Sequence, residues 1–269
     1  MQLAFGCQVS LMNDELELLE QMMPKHSIEL VVARHEEDLR WLRRVPRAIR
    51  ISVYNKGKTP TFPEGFPATD RVSVRDLPNA GREAHSYLTH LFDNYEKLAS
   101  VTLFCQGHPF DHAPDFHERL RALAEGREMP TPFLWYGFLD DTDDPCGKRL
   151  FVPWSKNPER RELSTGSLYE KLFGEPCPPL FHFRGGAQFG VALEAVIRRP
   201  REFYGQALQS ILETRDAAHS LERFWDRMFG PPAIDPETLG SDGVKYWKRI
   251  RRVDEEAGGG LLPVPMDSV

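Results

Sequence analysis

The sequence has few cysteines, no long apolar run and no excess of positive charge, and each absence excludes a class of protein. Its four cysteines, Cys7, Cys105, Cys146 and Cys177, are far apart and lack Cys-x-x-Cys spacing, which disfavours a disulfide framework or a cysteine-based zinc site. No apolar run approaches the roughly 20 residues needed to span a bilayer. The net charge of −6 at pH 7 provides no basic field for nucleic acid or an anionic membrane. We therefore expect neither as a partner.

Targeting and catalytic signatures are also missing. The N-terminal stretch has no basic segment and turns acidic at Asp14 and Glu15, unlike a secretory signal, so we expect a reduced, cytoplasmic protein. The chain has no Gly-x-Ser-x-Gly, Walker A or His-Glu-x-x-His motif, and no glycine-rich dinucleotide fingerprint after a strand. These absences disfavour serine hydrolases, P-loop NTPases, zincins and classical dinucleotide enzymes.

Strand-like and helix-like segments alternate along the first half of the chain. Four apolar runs predict strands: Ile28–Arg34, Ile49–Tyr54, Val101–Cys105 and Phe133–Leu139. The first run has no polar alternation, as expected of a strand buried on both faces. The pattern predicts an α/β fold with a mostly parallel central sheet, helices on both faces and a helical C-terminal part. We expect a single domain over residues 28–230, between an N-terminal extension (1–27) and a partly irregular tail (231–269).

Local signals place the helices and loops between these strands. The acidic residues after His35 are suited to open a helix through about Arg44, and Asn79 is suited to cap the next helix. On a helical wheel this next helix has a core face of Ala84, Leu88, Leu91, Phe92 and Tyr95. Its opposite, solvent face comprises Arg82, Ser86, Asp93 and Lys97, and its flank comprises Glu83, Tyr87 and Asn94. We expect a solvated acidic turn at 140–144 and irregular structure from there to Pro179.

The strand end at Gln106–His112 is the first candidate for chemistry. Ligands of open α/β sheets bind beyond the carboxyl ends of strands. His108, Asp111 and His112 supply two imidazoles and a carboxylate, a set that can form a facial metal site. Alternatively, His108 acts as a general acid or base, or is a loop histidine that fixes the turn. All three interpretations stay open.

Other polar residues follow the remaining strand ends. The helix start at 79–82 offers free N–H groups and the Arg82 guanidinium to a phosphate or carboxylate. Glu83 is a base or an ion-pair partner, and Lys56 is a phosphate contact or a solvated lysine. Arg34 and Glu36 are suited to read a nucleotide base or ribose, or to favour the next helix. Around Gln188, Gly185 and Gly186 allow close approach of a ligand or form a turn. Glu222 is expected to close the pocket structurally.

Several blocks together resemble an uncharacterised domain family. They are VVARHEEDLRWL (31–42), VYNKG (53–57), PNAGREAHSYL (78–88), DNYEKLASVTLFCQGHP (93–109), GAQFGV (186–191) and LERFWDRMF (221–229). Members of this family look distantly like GT-A glycosyltransferases, which implies a nucleotide-binding first strand end, a metal-binding Asp-x-Asp motif after a middle strand, and a glycine-rich strand beside the acceptor. Here the third strand ends in Gln-Gly-His-Pro, not Asp-x-Asp.

These observations lead to one prediction and its rivals. We expect a glycosyltransferase-like enzyme acting on a sugar or nucleotide-sugar, with Mn²⁺ or Mg²⁺ as the cofactor that the resemblance implies. The predicted catalytic residues are Glu83, His108 and Asp111, with His108 and His112 as metal ligands. The predicted substrate-binding residues are Arg34, Glu36, Lys56, Arg82, Tyr87, Gln106 and Gln188. The alternatives are a metal-dependent hydrolase or lyase, and a non-catalytic carbohydrate-binding domain.

Overall fold

A computed structural model describes residues 27–59, 70–137, 139–148, 162–235 and 245–246. Its strands are β1 (Ile28–Arg34), β2 (Ile49–Asn55), β3 (Val72–Asp76), β4 (Val101–Gln106), β5 (Phe133–Tyr136), β6 (Leu139–Asp143), β7 (Phe181–Arg184), β8 (Gln188–Ala192) and β9 (Lys245–Tyr246). Its α-helices are α1 (Arg82–Asp93), α2 (Phe116–Ala124), α3 (Thr165–Phe173), α4 (Leu193–Val196), α5 (Arg201–Glu213), α6 (Ala217–Glu222) and α7 (Trp225–Phe229). Short 3₁₀ turns lie at Arg40–Arg44, Tyr95–Lys97 and Pro109–Asp111.

Six strands form the main sheet in the order β3-β2-β1-β4-β8-β5. β1 pairs in parallel with β2 and β4, and β2 with β3. β8 alone runs antiparallel, between β4 and β5. The prediction of a mostly parallel sheet is therefore confirmed. Because the chain builds outward from β1 to β3 and then returns to place β4 on the other side of β1, the connections diverge between β1 and β4.

Apolar clusters cover both faces of this sheet, as predicted. On one face, Val31 and Phe104 pack with residues of α1, α5 and α7. On the other face, Leu30 and Val32 pack with Leu42 and with Phe116 of α2. Successive side chains of β1 point to opposite faces of the sheet, and both faces are covered by apolar residues. The sequence of β1 is therefore apolar at nearly every position.

Helix α1 is buried more widely than its wheel predicts. Ala84, Leu88 and Leu91 are buried as expected. However, Ser86 and Tyr87, assigned to the solvent face and the flank, are both 0% exposed. The reason is tertiary: α5 and α6 contact α1 in addition to the sheet. A helix enclosed by neighbours on several sides buries polar positions that an isolated amphipathic helix would expose.

Several predicted local features are wrong. The helix expected from His35 to Arg44 is only a 3₁₀ turn, Arg40–Arg44. Asn79 does not cap α1, because the helix begins at Arg82 after a left-handed Gly81 (φ 58°) and has no side-chain cap. The strand expected from Phe133 to Leu139 stops at Tyr136. Helix α3 lies in the region expected to be irregular.

The acidic segment at 140–144 is mostly a buried strand, not a solvated turn. Asp140, Asp141 and Asp143 are at most 3% exposed within β6. β6 joins β7 and β9 in a second, three-stranded sheet. Arg184 pairs with Asp140, and Arg223 donates to Asp143 at 3.0 Å. Arginines distant in sequence therefore compensate carboxylates that the sequence alone leaves exposed.

Within the described ranges, no helix has the length and apolar character needed to cross a membrane.

Buried His90 makes the stability of the protein sensitive to acid. Burial lowers its pKa from 6.5 to about 4. Since the unfolded chain takes up the proton more readily, the free energy of unfolding falls as the pH drops from about 6.5 towards 4. We expect His90 to account for a loss of about 2 kcal/mol between pH 7 and pH 5.

Urea unfolding at the two pH values measures this effect. His90→Gln should lose less stability between pH 7 and pH 5 than the parent protein, whereas the exposed-site control His108→Gln should keep the parental pH dependence. An identical pH dependence in His90→Gln would contradict the prediction.

Candidate functional site

A pocket of about 290 Å³ lies beyond the carboxyl ends of β1 and β4 and beside the start of α1. Ala33 of β1 and Gln106 of β4 form part of its floor, and Lys56 follows β2 at its side. This is the position where the connections diverge, the place at which open α/β sheets leave a crevice for ligands. The pocket is lined further by Arg34, Glu37, Arg82 and Glu83.

Arg34 forms the rigid wall of this pocket. Its side chain is nearly buried, and the guanidinium donates to Asn55 Oδ1 at 2.6 Å, Thr59 Oγ1 at 2.8 Å and the Glu37 carbonyl at 3.0 Å. These bonds tie the loops that follow β1 and β2 to each other. Arg34 therefore fixes the pocket and also contributes positive charge to it.

Glu36, which the sequence analysis places at a nucleotide base or ribose, bonds to the loop after β2 instead. Its carboxylate accepts from the Lys58 and Thr59 N–H groups and from the Thr59 hydroxyl. The Thr59 hydroxyl and the Lys58 N–H hold its pKa down, to about 2. The pocket lining does not include Glu36. Its carboxylate instead fastens the loop after β2.

Lys56 reaches across the pocket to the beginning of α1. Its Nζ donates to the Ala80 carbonyl at 2.6 Å and to the Arg82 carbonyl. Burial lowers its pKa to about 8, although the nearby Glu83 opposes this shift. The partly desolvated ammonium group of Lys56 thus lies next to the start of α1. The free N–H groups at this helix start favour anions.

Glu83 and Glu222 are two nearly buried carboxyl groups with opposite pKa shifts. Burial raises the pKa of Glu83, and the charge of Glu222 raises it further, against the effect of Arg82 at 3.5 Å. Burial also acts to raise the pKa of Glu222, but Arg223 and the Gly186 N–H hold it below its usual value. The surroundings therefore displace the pKa values of the two carboxyl groups in opposite directions, a pattern that separates acid and base roles in enzyme sites.

Tyr87 lies in the aromatic core under this end of α1. Its ring centroid is 5.0 Å from Phe104 and 5.8 Å from both Phe189 and Trp225. Its hydroxyl is buried and finds no hydrogen-bond partner among the described residues. Tyr87 therefore supports the site from below and does not line the pocket.

The three residues of the Gln106–His112 strand end are not brought together. His108 Nδ1 is 3.7 Å from Asp111 Oδ2, on the surface, where the two side chains are 52% and 56% exposed. His112 lies elsewhere, against Gly186. In the described part of the chain, no group of three or more His, Cys, Asp or Glu residues is arranged to hold a metal ion. These residues do not fit the metal that an Asp-x-Asp motif would bind.

Gln188 is fully buried at the start of β8. Both its amide atoms, Oε1 and Nε2, lack a hydrogen-bond partner in the described structure. The preceding Gly186 has φ 100° and donates its N–H to Glu222 Oε1 at 2.6 Å. Glu222, expected from the sequence only to close the pocket, is thereby joined to the turn before β8. No local sequence signal shows this, because the contact spans 36 residues.

Backbone strain coincides with the segments that carry these groups. The non-glycine residues with left-handed φ among the described residues are Arg82 (48°), Ala187 (52°) and Asp216 (60°). Arg82 precedes Glu83, Ala187 precedes Gln188, and Asp216 precedes helix α6, which ends at Glu222. Residues in such conformations cost free energy and cluster at functional sites. Of these three residues, Arg82 lines the pocket, whereas Ala187 and Asp216 lie outside its lining.

The structure is that of an α/β protein with a pocket at the carboxyl ends of a mostly parallel sheet. Residues 30–238 match the family described as protein of unknown function, DUF3431, and the chain belongs to that family. The resemblance to an uncharacterised domain family is thereby confirmed. A comparison with curated proteins finds no match.

Among solved structures, the chain is similar to CMP:2-keto-3-deoxy-manno-octonic acid synthetase complexed with CTP. The identity is 9% and the TM-score 0.31, over 75% of this chain and 84% of that chain.

The adjacent glycines before β8 give a matched pair of variants. A Cβ added to Gly186 would lie 2.5 Å from His112 Cγ and 2.8 Å from Gln188 Oε1, in a backbone conformation that alanine disfavours. A Cβ added to Gly185 meets no atom within 4 Å. We expect Gly186→Ala to lower the free energy of unfolding by about 2–4 kcal/mol and Gly185→Ala to change it by under about 0.5 kcal/mol. Urea titrations measure both, and equal losses would contradict the close contact at Gly186.

Proposed function

We propose that this protein is a glycosyltransferase-like enzyme that binds the anionic part of a nucleotide-sugar in the pocket between β1, β4 and α1. The observation that carries the proposal is the convergence of Arg34, Lys56 and Arg82 with the nearly buried Glu83 at the divergence point of the sheet. Cations held beside a helix N-terminus favour phosphate groups. Sugar hydroxyls are suited to polar groups such as Gln106 at the strand end.

Burial raises the pKa of Glu83, and an anion bound beside it would raise that pKa further, so an anionic ligand and the neutral form of Glu83 favour each other. A neutral carboxyl group donates a hydrogen bond to a phosphate oxygen, whereas an ionised one would repel it. In this proposal Lys56 and Arg82 balance the charge of the ligand, and Glu83 donates to it.

The pocket is at the lower end of the size range of small-molecule sites, about 300–1,000 Å³. Its volume of about 290 Å³ suits one phosphate or ring-sized group. A complete nucleotide-sugar would therefore extend beyond it. The turn before the glycine-rich strand β8, which the GT-A resemblance associates with the acceptor, donates the Gly186 N–H to Glu222.

Isothermal titration against a panel of nucleotide-sugars, with and without Mn²⁺, tests this function. At least one member should bind, and incubation with acceptor sugars should release the nucleoside diphosphate. Flat titrations throughout would overturn the proposal. Binding without turnover for any acceptor would favour the non-catalytic carbohydrate-binding alternative.

Lys56 and Lys58 provide a matched pair for the anion contact. Lys56→Met removes an ammonium from the pocket, and we expect the affinity for the bound nucleotide-sugar to fall about tenfold or more. Lys58→Met changes an exposed lysine two positions away and should leave the affinity unchanged. Equal effects of the two substitutions, with both variants folded by circular dichroism, would contradict the assignment.

The affinity should also depend on pH. Because the pKa of Lys56 is lowered to about 8, the ammonium loses its charge as the pH rises through that value, and an anionic ligand then binds more weakly. Titrations between pH 7 and pH 9 measure the change. Lys56→Met should remove most of this dependence, and its persistence there would assign it to another group.

A further inference from the structure

His35 and Asn79 face each other at the opening of the pocket. His35 follows β1 and Asn79 precedes α1, so the two residues come from different segments of the chain. Both line the pocket and both are exposed, whereas Arg34 and Glu83, which also line it, are nearly buried. Lining residues that are exposed lie where the pocket meets the solvent. The Asn79 amide nitrogen, Nδ2, is 3.2 Å from His35 Nε2, which forms a hydrogen-bonded bridge at this opening.

The backbone of His35 is held in place, so the bridge can open by rotation of side chains alone. The His35 N–H donates to Glu37 Oε2 at 2.6 Å, and its carbonyl accepts from Arg34 Nη1 at 3.3 Å. The same carbonyl packs on the loop after β2, since a Cβ added to Gly57 would lie 1.5 Å from it. The imidazole itself is exposed, and exposed side chains change rotamer readily.

The bridge requires a neutral imidazole. Because the amide nitrogen of Asn79 has only donors, His35 Nε2 must accept, and it does so through its lone pair. An imidazolium carries a proton on both ring nitrogens and accepts at neither. Protonation of His35 therefore breaks the bridge, and it leaves both side chains able to donate to a ligand. Histidine ordinarily takes up its proton within the range of about pH 5 to 8.

Charged groups of both signs surround His35. The carboxylates of Glu36 and Glu37 belong to the residues that follow it in the chain, and both favour a positive charge on the imidazole. The other titratable groups of the pocket lining are Arg34, Lys56, Arg82 and Glu83. An anion bound among the three cations offsets their repulsion of the imidazolium. The anion and the proton on His35 therefore favour each other.

We propose that His35 is an anion-binding residue of this pocket that acts in its protonated form, once it has separated from Asn79. It adds a fourth positive group to Arg34, Lys56 and Arg82, at the point where a ligand larger than the pocket emerges. The anionic nature of the ligand rests on the proposed function. The role of His35 rests on its place in the lining and on the bridge to Asn79.

Calorimetric titration with sodium sulfate at pH 5.5 and pH 7.5 tests this role, because sulfate has the same charge at both pH values. Sodium chloride keeps the ionic strength constant. We expect the parent protein to bind sulfate at least about fivefold more tightly at pH 5.5. In His35→Gln, which keeps a polar side chain at the opening, this ratio should fall below about twofold. The exposed histidine outside the lining is the matched control, and His108→Gln should keep the parental ratio.

Two further variants separate His35 from its neighbours. Glu83→Gln removes the other lining group whose protonation favours an anion, and the tighter binding at pH 5.5 should persist in this variant. Asn79→Asp places a carboxylate where it pairs with the imidazolium, and it should abolish the gain at pH 5.5, whereas Asn79→Ala should keep it. Circular dichroism checks that each variant is folded.

The outcomes distinguish this inference from the proposed function. An undiminished pH dependence in His35→Gln, or no sulfate binding by the parent protein at either pH, would overturn the role of His35. The expected sulfate pattern without binding of any nucleotide-sugar would overturn the proposed function and leave the role of His35 standing. Nucleotide-sugar binding together with a sulfate affinity that is equal at the two pH values would do the reverse.

Discussion

A chain of polar contacts, buried at Arg34 and Asn55, holds the carboxyl ends of the three parallel strands β1, β2 and β3. Arg34 donates to Asn55 Oδ1 at 2.6 Å, and Asn55 Nδ2 donates to Asp76 Oδ1 at 2.7 Å. A buried guanidinium is costly unless its donors are satisfied, so the loops after β1 and β2 must adopt the positions that satisfy it. Those loops form one wall of the pocket. Arg34 therefore has two roles: it contributes positive charge to the pocket, and it holds the loops that form the pocket wall.

The sequence predicted the elements whose signal is local. Strand β1 reads as an apolar run because both faces of the sheet are covered, and the ends of β1 and β4 indicated where polar residues would meet. The errors arose where distant segments decide burial. Ser86 appears exposed until α5 and α6 are packed on α1, and Asp143 appears solvated until Arg223, 80 residues later, pairs with it.

The residues of the candidate site divide in the same way, into those that local sequence signals indicate and those that depend on contacts between distant segments. Arg34, Lys56, Arg82, Glu83 and Gln106 all line one pocket, since each follows or ends an element that reaches the same edge of the sheet. His108 and Asp111 follow β4 as well, but a 3₁₀ turn carries them to the surface. Glu222 was assigned only a supporting role, because its contact with Gly186 depends on how two distant segments pack.

The alternation of side chains along β8 links the turn at Gly186 to the aromatic core. Gln188 and Phe189 are neighbours on opposite faces, and Phe189 pairs with Phe104 and Trp135. Inserting or deleting one residue in the turn before β8, with the pairing shifted to match, would exchange the two side chains between faces. The amide would enter the core and the phenyl ring would leave it. The length of the three-residue connection between β7 and β8 is thus constrained by the packing of Phe189 in the core.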